Sequence, residues 1–156
     1  MEQALLQRLA TLEGESAVRR LMARYMDLCD VPRAPTRVSD LAELFCIDAI
    51  WEGIGSQTAQ TFGQHRGREA IAAFVAGYLP PSDHFQLNLH YLTSESIVVD
   101  GEGAQGQWIM QQISTYADGR NELFGTRLNI DFRCLDGTWQ IAHFRTRRLL
   151  NLELRP

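Results

Sequence analysis

The chain has 156 residues, 45% hydrophobic and 22% charged, which suits a single domain with a substantial core. Its formal net charge is −4 and all 15 basic residues are arginine. That excludes a basic nucleic-acid groove, Schiff-base chemistry and the phosphate-binding lysine of a P-loop. Cys29, Cys46 and Cys134 are widely spaced and form no Cys-x-x-Cys, which predicts free thiols in a reducing compartment. The acidic start Met1-Glu2-Gln3-Ala4 is not a signal peptide, and no apolar run approaches membrane-spanning length, so a cytoplasmic protein is expected.

The first element is a long amphipathic helix. Leu5, Leu6, Leu9 and Leu12 repeat at helical spacing; beyond Gly14, a possible bend, the stripe continues through Val18, Leu21, Met22, Tyr25, Leu28 and Cys29. Pro32 and Pro35 end it. Asp27 and Asp30 sit in its last turn, where the helix dipole disfavours an acid, so their charge calls for a partner. Ser39 is expected to cap a short helix over Asp40–Phe45, followed by a strand over Asp48–Gly53 and a polar turn from Gly55 to Gln60. A third helix is expected over Arg68–Tyr78, with Ile71, Phe74, Val75 and Tyr78 as its stripe and Pro80-Pro81 as its stop. From His84 the period becomes two, predicting strands over Phe85–Asp100, Gln105–Tyr116, Asn121–Cys134 and Thr138–Leu149. The Asp-Gly turns at Asp118-Gly119 and Asp136-Gly137 mark hairpins. Helices followed by a meander give an α+β class, with helices packed on a curved antiparallel sheet and residues 1–156 in one domain.

The four histidines, His65, His84, His90 and His143, fall in no zinc pattern, and no serine-hydrolase or dinucleotide motif is present. Alternation puts Asn88 and His90 on one strand face, opposite Leu87, Leu89 and Tyr91. That polar face lies either in water or against an interior cavity. Tyr25 and Asp30 are five residues apart, about 140° around a regular helix, and share a side only if the helix frays near Leu28 or Cys29. Trp139, Ile141, His143 and Arg145 fall on one face by alternation; Arg145, Arg147 and Arg148 cluster near the end of the last strand, as an interface or an anion site. Trp51 and Trp108 are either core or a platform for a ring. The trailing leucines Leu149, Leu150, Leu152 and Leu154 are expected to run past the sheet and form a homodimer or homotrimer contact.

Several short segments, in order along nearly the whole chain, carry a resemblance. They are Arg24-Tyr25 with Asp30, Leu44-Phe45-Cys46-Ile47-Asp48-Ala49-Ile50-Trp51, Gly67 with Ile71-x-x-Phe74, His90-Tyr91-Leu92-Thr93, and Asp136-Gly137-Thr138-Trp139-Gln140-Ile141. Together they resemble the SnoaL-like branch of the nuclear transport factor 2-like superfamily. The resemblance implies a cone: three N-terminal helices closing a bent antiparallel sheet, a cystatin-like α+β barrel around a pocket. Within the superfamily the chain is similar to the scytalone dehydratases and bile acid 7α-dehydratases. Their catalytic tyrosine, aspartate and histidine map onto Tyr25, Asp30 and His90. Scytalone dehydratases carry an acid after the tyrosine, where this chain has Met26, and a further histidine where it reads Gln111-Gln112-Ile113-Ser114.

The resemblance therefore implies a dehydratase without cofactor or metal, acting on a small cyclic or aromatic hydroxy-carbonyl compound. His90 would take the proton, Asp30 would orient His90, and Tyr25 would bind the carbonyl oxygen, with Trp51, Trp108 and Arg145 as candidate substrate-binding residues. The same fold also hosts ketosteroid-isomerase-like enzymes, non-catalytic binding modules and small subunits of ring-hydroxylating oxygenases. A scaffold role predicts a narrow, filled cone; an enzyme predicts a pocket of a few hundred Å³ walled by His90 and Tyr25.

Overall fold

A computed structural model describes residues 1–155. Helix α1 (Glu2–Cys29) buries one stripe, including Val18, Met22, Tyr25 and Met26, and leaves Leu5, Leu6, Leu9 and Leu12 exposed. No residue before Gly14 is buried. The helix is continuous through Gly14, whose value is close approach: a Cβ there would lie 3.0 Å from Val99 Cγ1 and 3.2 Å from the Trp139 ring. A short helix α2 (Val38–Ala42) follows. Ser39 lies inside it rather than capping it; the start is fixed instead by the Arg37–Asp40 ion pair at 2.7 Å.

Strand β1 (Phe45–Gly53) begins three residues before the expected start, and Cys46 is buried on it. The polar stretch expected as a turn folds as helix α3 (Ser56–Phe62), then edge strand β2 (Gln64–Arg66) and helix α4 (Arg68–Ala76). Four helices thus precede the meander. In α3 only Thr58 is buried, so the sequence carries no apolar stripe there to announce a helix.

The meander comprises β3 (Phe85–Asp100), β4 (Gly103–Tyr116), β5 (Asn121–Leu135) and β6 (Thr138–Leu154). The sheet order is β2-β1-β6-β5-β4-β3, curved and unclosed, with β2 and β3 at its edges. All pairs are antiparallel except β1 with β6, which are parallel. The final leucines do not run past the sheet: Leu150, Leu152 and Leu154 pair with Gly125, Leu123 and Asn121 of β5, with their side chains exposed.

The core lies between α1, α2, α4 and the inner face of the sheet, where Leu41, Phe45, Ile71, Leu128, Ile130 and Ile141 are buried. Bulges break the ladder at Thr93/Ser96 on β3 and at two places between β5 and β6. Each bends its strand and changes which side chains face inward. Among the described residues no helix is long and apolar enough to cross a membrane.

Candidate functional site

Asp30 is where helix and sheet meet. It caps α1 with extended backbone (φ −71°, ψ 146°), its N–H still donating to the Met26 carbonyl at 3.0 Å. The chain thus leaves the helix here, and the angular separation from Tyr25 no longer holds. Val31 then exchanges two 2.8 Å backbone hydrogen bonds with Asn88, adding a residue to the β3 edge. This pins Asp30 beside His90. One carboxylate oxygen, Oδ1, accepts from the His90 backbone N–H at 3.0 Å and from His90 Nδ1 at 2.8 Å. A carboxylate only accepts, so Nδ1 carries the proton and Nε2 of the neutral ring keeps its lone pair. Among the described residues Nε2 has no hydrogen-bond partner, and the His90 side chain, 9% exposed, lies on a cavity wall.

Tyr25 reaches the same cavity from the last turns of α1. Its hydroxyl accepts a 3.2 Å hydrogen bond from Trp51 Nε1, and its ring packs edge-on against Phe45 and tilted against Phe144. Burial, then the neighbouring Cys29, pushes the phenol well above its ordinary value. Burial likewise pushes the Cys29 thiol up to about 12. Tyr25 therefore stays neutral and offers a proton rather than a charge.

The cavity holds about 320 Å³. Its walls are mostly aromatic and aliphatic, among them Trp51, Phe62, Phe74, Met110, Phe124 and Phe144. Polar side chains line it too, among them His84, Asn88, Gln112, Tyr116, Thr146 and Arg148. Asn88, Gln112 and Ser114 form a triangle on the sheet: the Asn88 carbonyl oxygen accepts from Gln112 Nε2 and Ser114 Oγ, both at 2.8 Å. Thr58 of α3 accepts from the Arg148 backbone N–H at 3.0 Å, tying that helix to β6. Such a chamber can hold a planar ring, remove a carbon-bound proton at one wall and stabilise a developing oxyanion beside it. Among the described residues no three His, Cys, Asp or Glu side chains are grouped to hold a metal ion.

The structure brings Tyr25, Trp51 and His90 onto this wall, with Asp30 directly behind the imidazole. It does not bring Trp108 or Arg145 there. Trp108 is buried against Phe132, with its indole N–H on Glu95 at 3.3 Å. Arg145 faces away from the cavity, bonded to Asp131 at 2.8 Å and to His143 Nδ1 at 2.7 Å, while His143 Nε2 donates to Glu52 at 2.6 Å. The cause is a bulge: Phe132 pairs with Ile141 but Asp131 with His143, so Ala142 is unopposed. Beyond it the alternation is inverted, and Phe144, Thr146 and Arg148 face inward in place of His143 and Arg145. Strand alternation alone could not have found Arg148, because nothing in Ile141-Ala142-His143 marks the extra residue.

The sequence matches the SnoaL-like domain over residues 10–145. No curated protein matches it. Among solved structures, a hexachlorocyclohexane dehydrochlorinase, LinA type 2, superposes with a TM-score of 0.76 at 18% identity, covering 96% of this chain and 93% of that one. A scytalone dehydratase-like protein from Novosphingobium aromaticivorans gives 0.75 at 18% identity, over 93% of this chain and 90% of that one. An NTF2-like protein with a cystatin-like fold, also from Novosphingobium aromaticivorans, gives 0.69 at 22% identity, over 93% and 88%. At these identities the superpositions establish the cystatin-like fold, and the domain match over residues 10–145 shows that the chain belongs to the SnoaL-like family.

Proposed function

We propose that this protein is a cofactor-independent hydro-lyase that removes water from a small cyclic or aromatic substrate bearing a hydroxyl β to a carbonyl. Neutral His90 takes the proton from the carbon between the two groups through Nε2. Asp30 fixes the tautomer and stabilises the imidazolium that forms. Tyr25 donates to the carbonyl oxygen as enolate charge develops. The C–O bond then breaks, the carbon–carbon double bond forms, and the proton on His90 leaves with the departing hydroxide as water. Mostly apolar walls lower the local dielectric and so strengthen each of these contacts.

The observation that carries this reading is the His90–Asp30 pair, bonded at 2.8 Å with the free ring nitrogen at a cavity wall shared with Tyr25. A filled cone would have favoured a scaffold role; a chamber of about 320 Å³ supports one that handles a ligand. Two of the superposable proteins are named for elimination, a dehydrochlorinase and a scytalone dehydratase-like protein, which supports the reaction class. The same dyad would also serve an isomerase, in which the proton returns to a different carbon and no water leaves. Three unpaired cysteines fit the reducing cytoplasm as the site of action.

The test uses a β-hydroxytetralone, which becomes a fluorescent naphthol on losing water. Wild-type protein is expected to form the naphthol, and His90→Ala to lower kcat by roughly 10²–10⁴-fold. Turnover that survives His90→Ala unchanged would overturn the assignment of the base. Migration of the double bond in a β,γ-unsaturated cyclic ketone, with no naphthol formed from the β-hydroxytetralone, would mark the isomerase.

A further inference from the structure

The cavity wall carries one permanent positive charge that the proton chemistry does not use. Arg148 is the only arginine lining the chamber among the described residues. Its guanidinium carbon lies 4.0 Å from the centre of the Phe124 ring and 5.8 Å from that of Phe62. Its Nε is buried without a hydrogen-bond partner. Among the described residues no carboxylate lies within ion-pairing distance of it. Glu122, whose charge it senses, already accepts from the Tyr116 hydroxyl at 2.7 Å and pairs with Arg120 at 3.6 Å. Burial lowers the Arg148 pKa, yet a guanidinium remains charged at any physiological pH. Phe124 offsets part of the lost hydration by cation–π attraction but cannot accept from the forked N–H groups.

We infer that Arg148 binds a carboxylate on the substrate, at the end of the molecule remote from His90. The sheet register sets the spacing. His90, Gln112 and Phe124 are direct cross-strand neighbours on β3, β4 and β5. Two strand spacings separate His90 from Phe124, about 10 Å, with Arg148 standing over the Phe124 ring. That is the length of a bicyclic ring system or of one ring with a short arm. A single arginine among the described lining residues matches a monoanionic carboxylate, which it can grip through two parallel N–H bonds. The substrate class is thus narrowed to ring-containing hydroxy-carbonyl acids. The assignment of the reacting end rests on the lyase reading; the anion site itself does not.

Calorimetric titration with naphthoate and with naphthamide, its neutral counterpart of nearly the same shape, tests this without turnover. Wild-type protein is expected to prefer the carboxylate by about tenfold to a hundredfold. Arg148→Gln should bring the two affinities together, Arg148→Lys should retain a smaller preference, and Arg145→Gln should leave it intact. Equal affinities in the wild type, binding of neither probe, or a preference that survives Arg148→Gln or disappears in Arg145→Gln would each overturn the inference. The wild-type comparison stands even if Arg148→Gln does not fold. A protein that selects naphthoate but eliminates water from nothing would sink the lyase reading alone. One that dehydrates neutral β-hydroxy ketones without selecting naphthoate would sink the anion site alone.

Discussion

Asp30 Oδ1 accepts two hydrogen bonds from the same residue, one from the His90 main chain and one from its ring. The first fixes where the carboxylate sits; the second fixes which imidazole nitrogen is basic. Asp30→Asn can keep an acceptor near both donors but loses the charge that stabilises the imidazolium. It is expected to lower kcat by roughly 10²–10⁴-fold with little change in melting temperature; comparable losses in both would assign Asp30 to stability instead. Tyr25 and Cys29 predict an alkaline limb. The Cys29 thiol titrates at about 12 in the folded protein against an ordinary 9.0, raised first by burial. The folded chain therefore keeps a proton that the unfolded chain releases. Stability is undiminished below pH 9 and falls as pH rises through that window, with Tyr25 acting in the same direction. Urea midpoints measured from pH 8 upward should decline above pH 9, and less steeply in Cys29→Ala; parallel slopes in the two proteins would contradict the assignment.

At the scale of elements, the site depends on how α3 and the end of β6 close the cavity. Gly53 ends β1 under α3, and a Cβ there would fall 2.3 Å from the Thr58 backbone carbonyl. Backbone cannot rotate aside as a flexible side chain can. Gly53→Ala is expected to displace α3 and cost about 1–3 kcal/mol in chemical denaturation, and to weaken ligand binding with it. Glu52 links β1, β2 and β6 by accepting from Gln64 Nε2 at 2.7 Å and His143 Nε2 at 2.6 Å. Burial alone would raise its pKa, but these two bonds, together with the charges of His143 and Arg145, outweigh it and hold the carboxyl below its ordinary 4.5. Its contribution is present above that value and lost as pH falls through the depressed one, so Glu52→Gln should flatten the acid-unfolding curve below pH 4.5. An unchanged acid limb would argue against that linkage.

These elements also show what the sequence could and could not reveal. The long first helix, the turns at Asp118-Gly119 and Asp136-Gly137 and the period-two strands were readable because each follows from local periodicity or turn chemistry. The dyad was readable in part, since the resemblance named Tyr25, Asp30 and His90 while regular helix geometry alone argued against Tyr25 and Asp30 sharing a side. What joins them is the extended backbone at Asp30 and the Val31–Asn88 bridge, a long-range pairing with no local signature. Arg148 was hidden behind the bulge at Ala142, which exchanged it for Arg145 at the cavity wall. Helix α3 was hidden by its polarity.

On the scale of the whole molecule, the open sheet and the overhanging helix leave apolar surface uncovered. Leu5, Leu6, Leu9 and Leu12 of α1 are exposed, as are Leu149, Leu150, Leu152 and Leu154 of β6. A monomer rarely leaves two such stretches in water, so a homodimer or homotrimer is expected. Sedimentation velocity over a hundredfold concentration range should show a species larger than 17.7 kDa; a monomer at every concentration would refute it. The molecule as a whole then reads as a cone whose fold supplies the chamber and whose polar side chains would supply the proposed chemistry.

That chemistry turns on whether His90 takes a proton from carbon inside the chamber. Proton NMR in D₂O of a β-hydroxytetralone and of the parent tetralone, which has no hydroxyl to lose, reads this step directly. Deuterium is expected at the carbon next to the carbonyl of the parent ketone, alongside naphthol from the hydroxylated one, with both rates at least about a hundredfold lower in His90→Ala. Exchange no faster than in buffer, or equally fast with wild-type protein and His90→Ala, would contradict the assignment of His90 as the base.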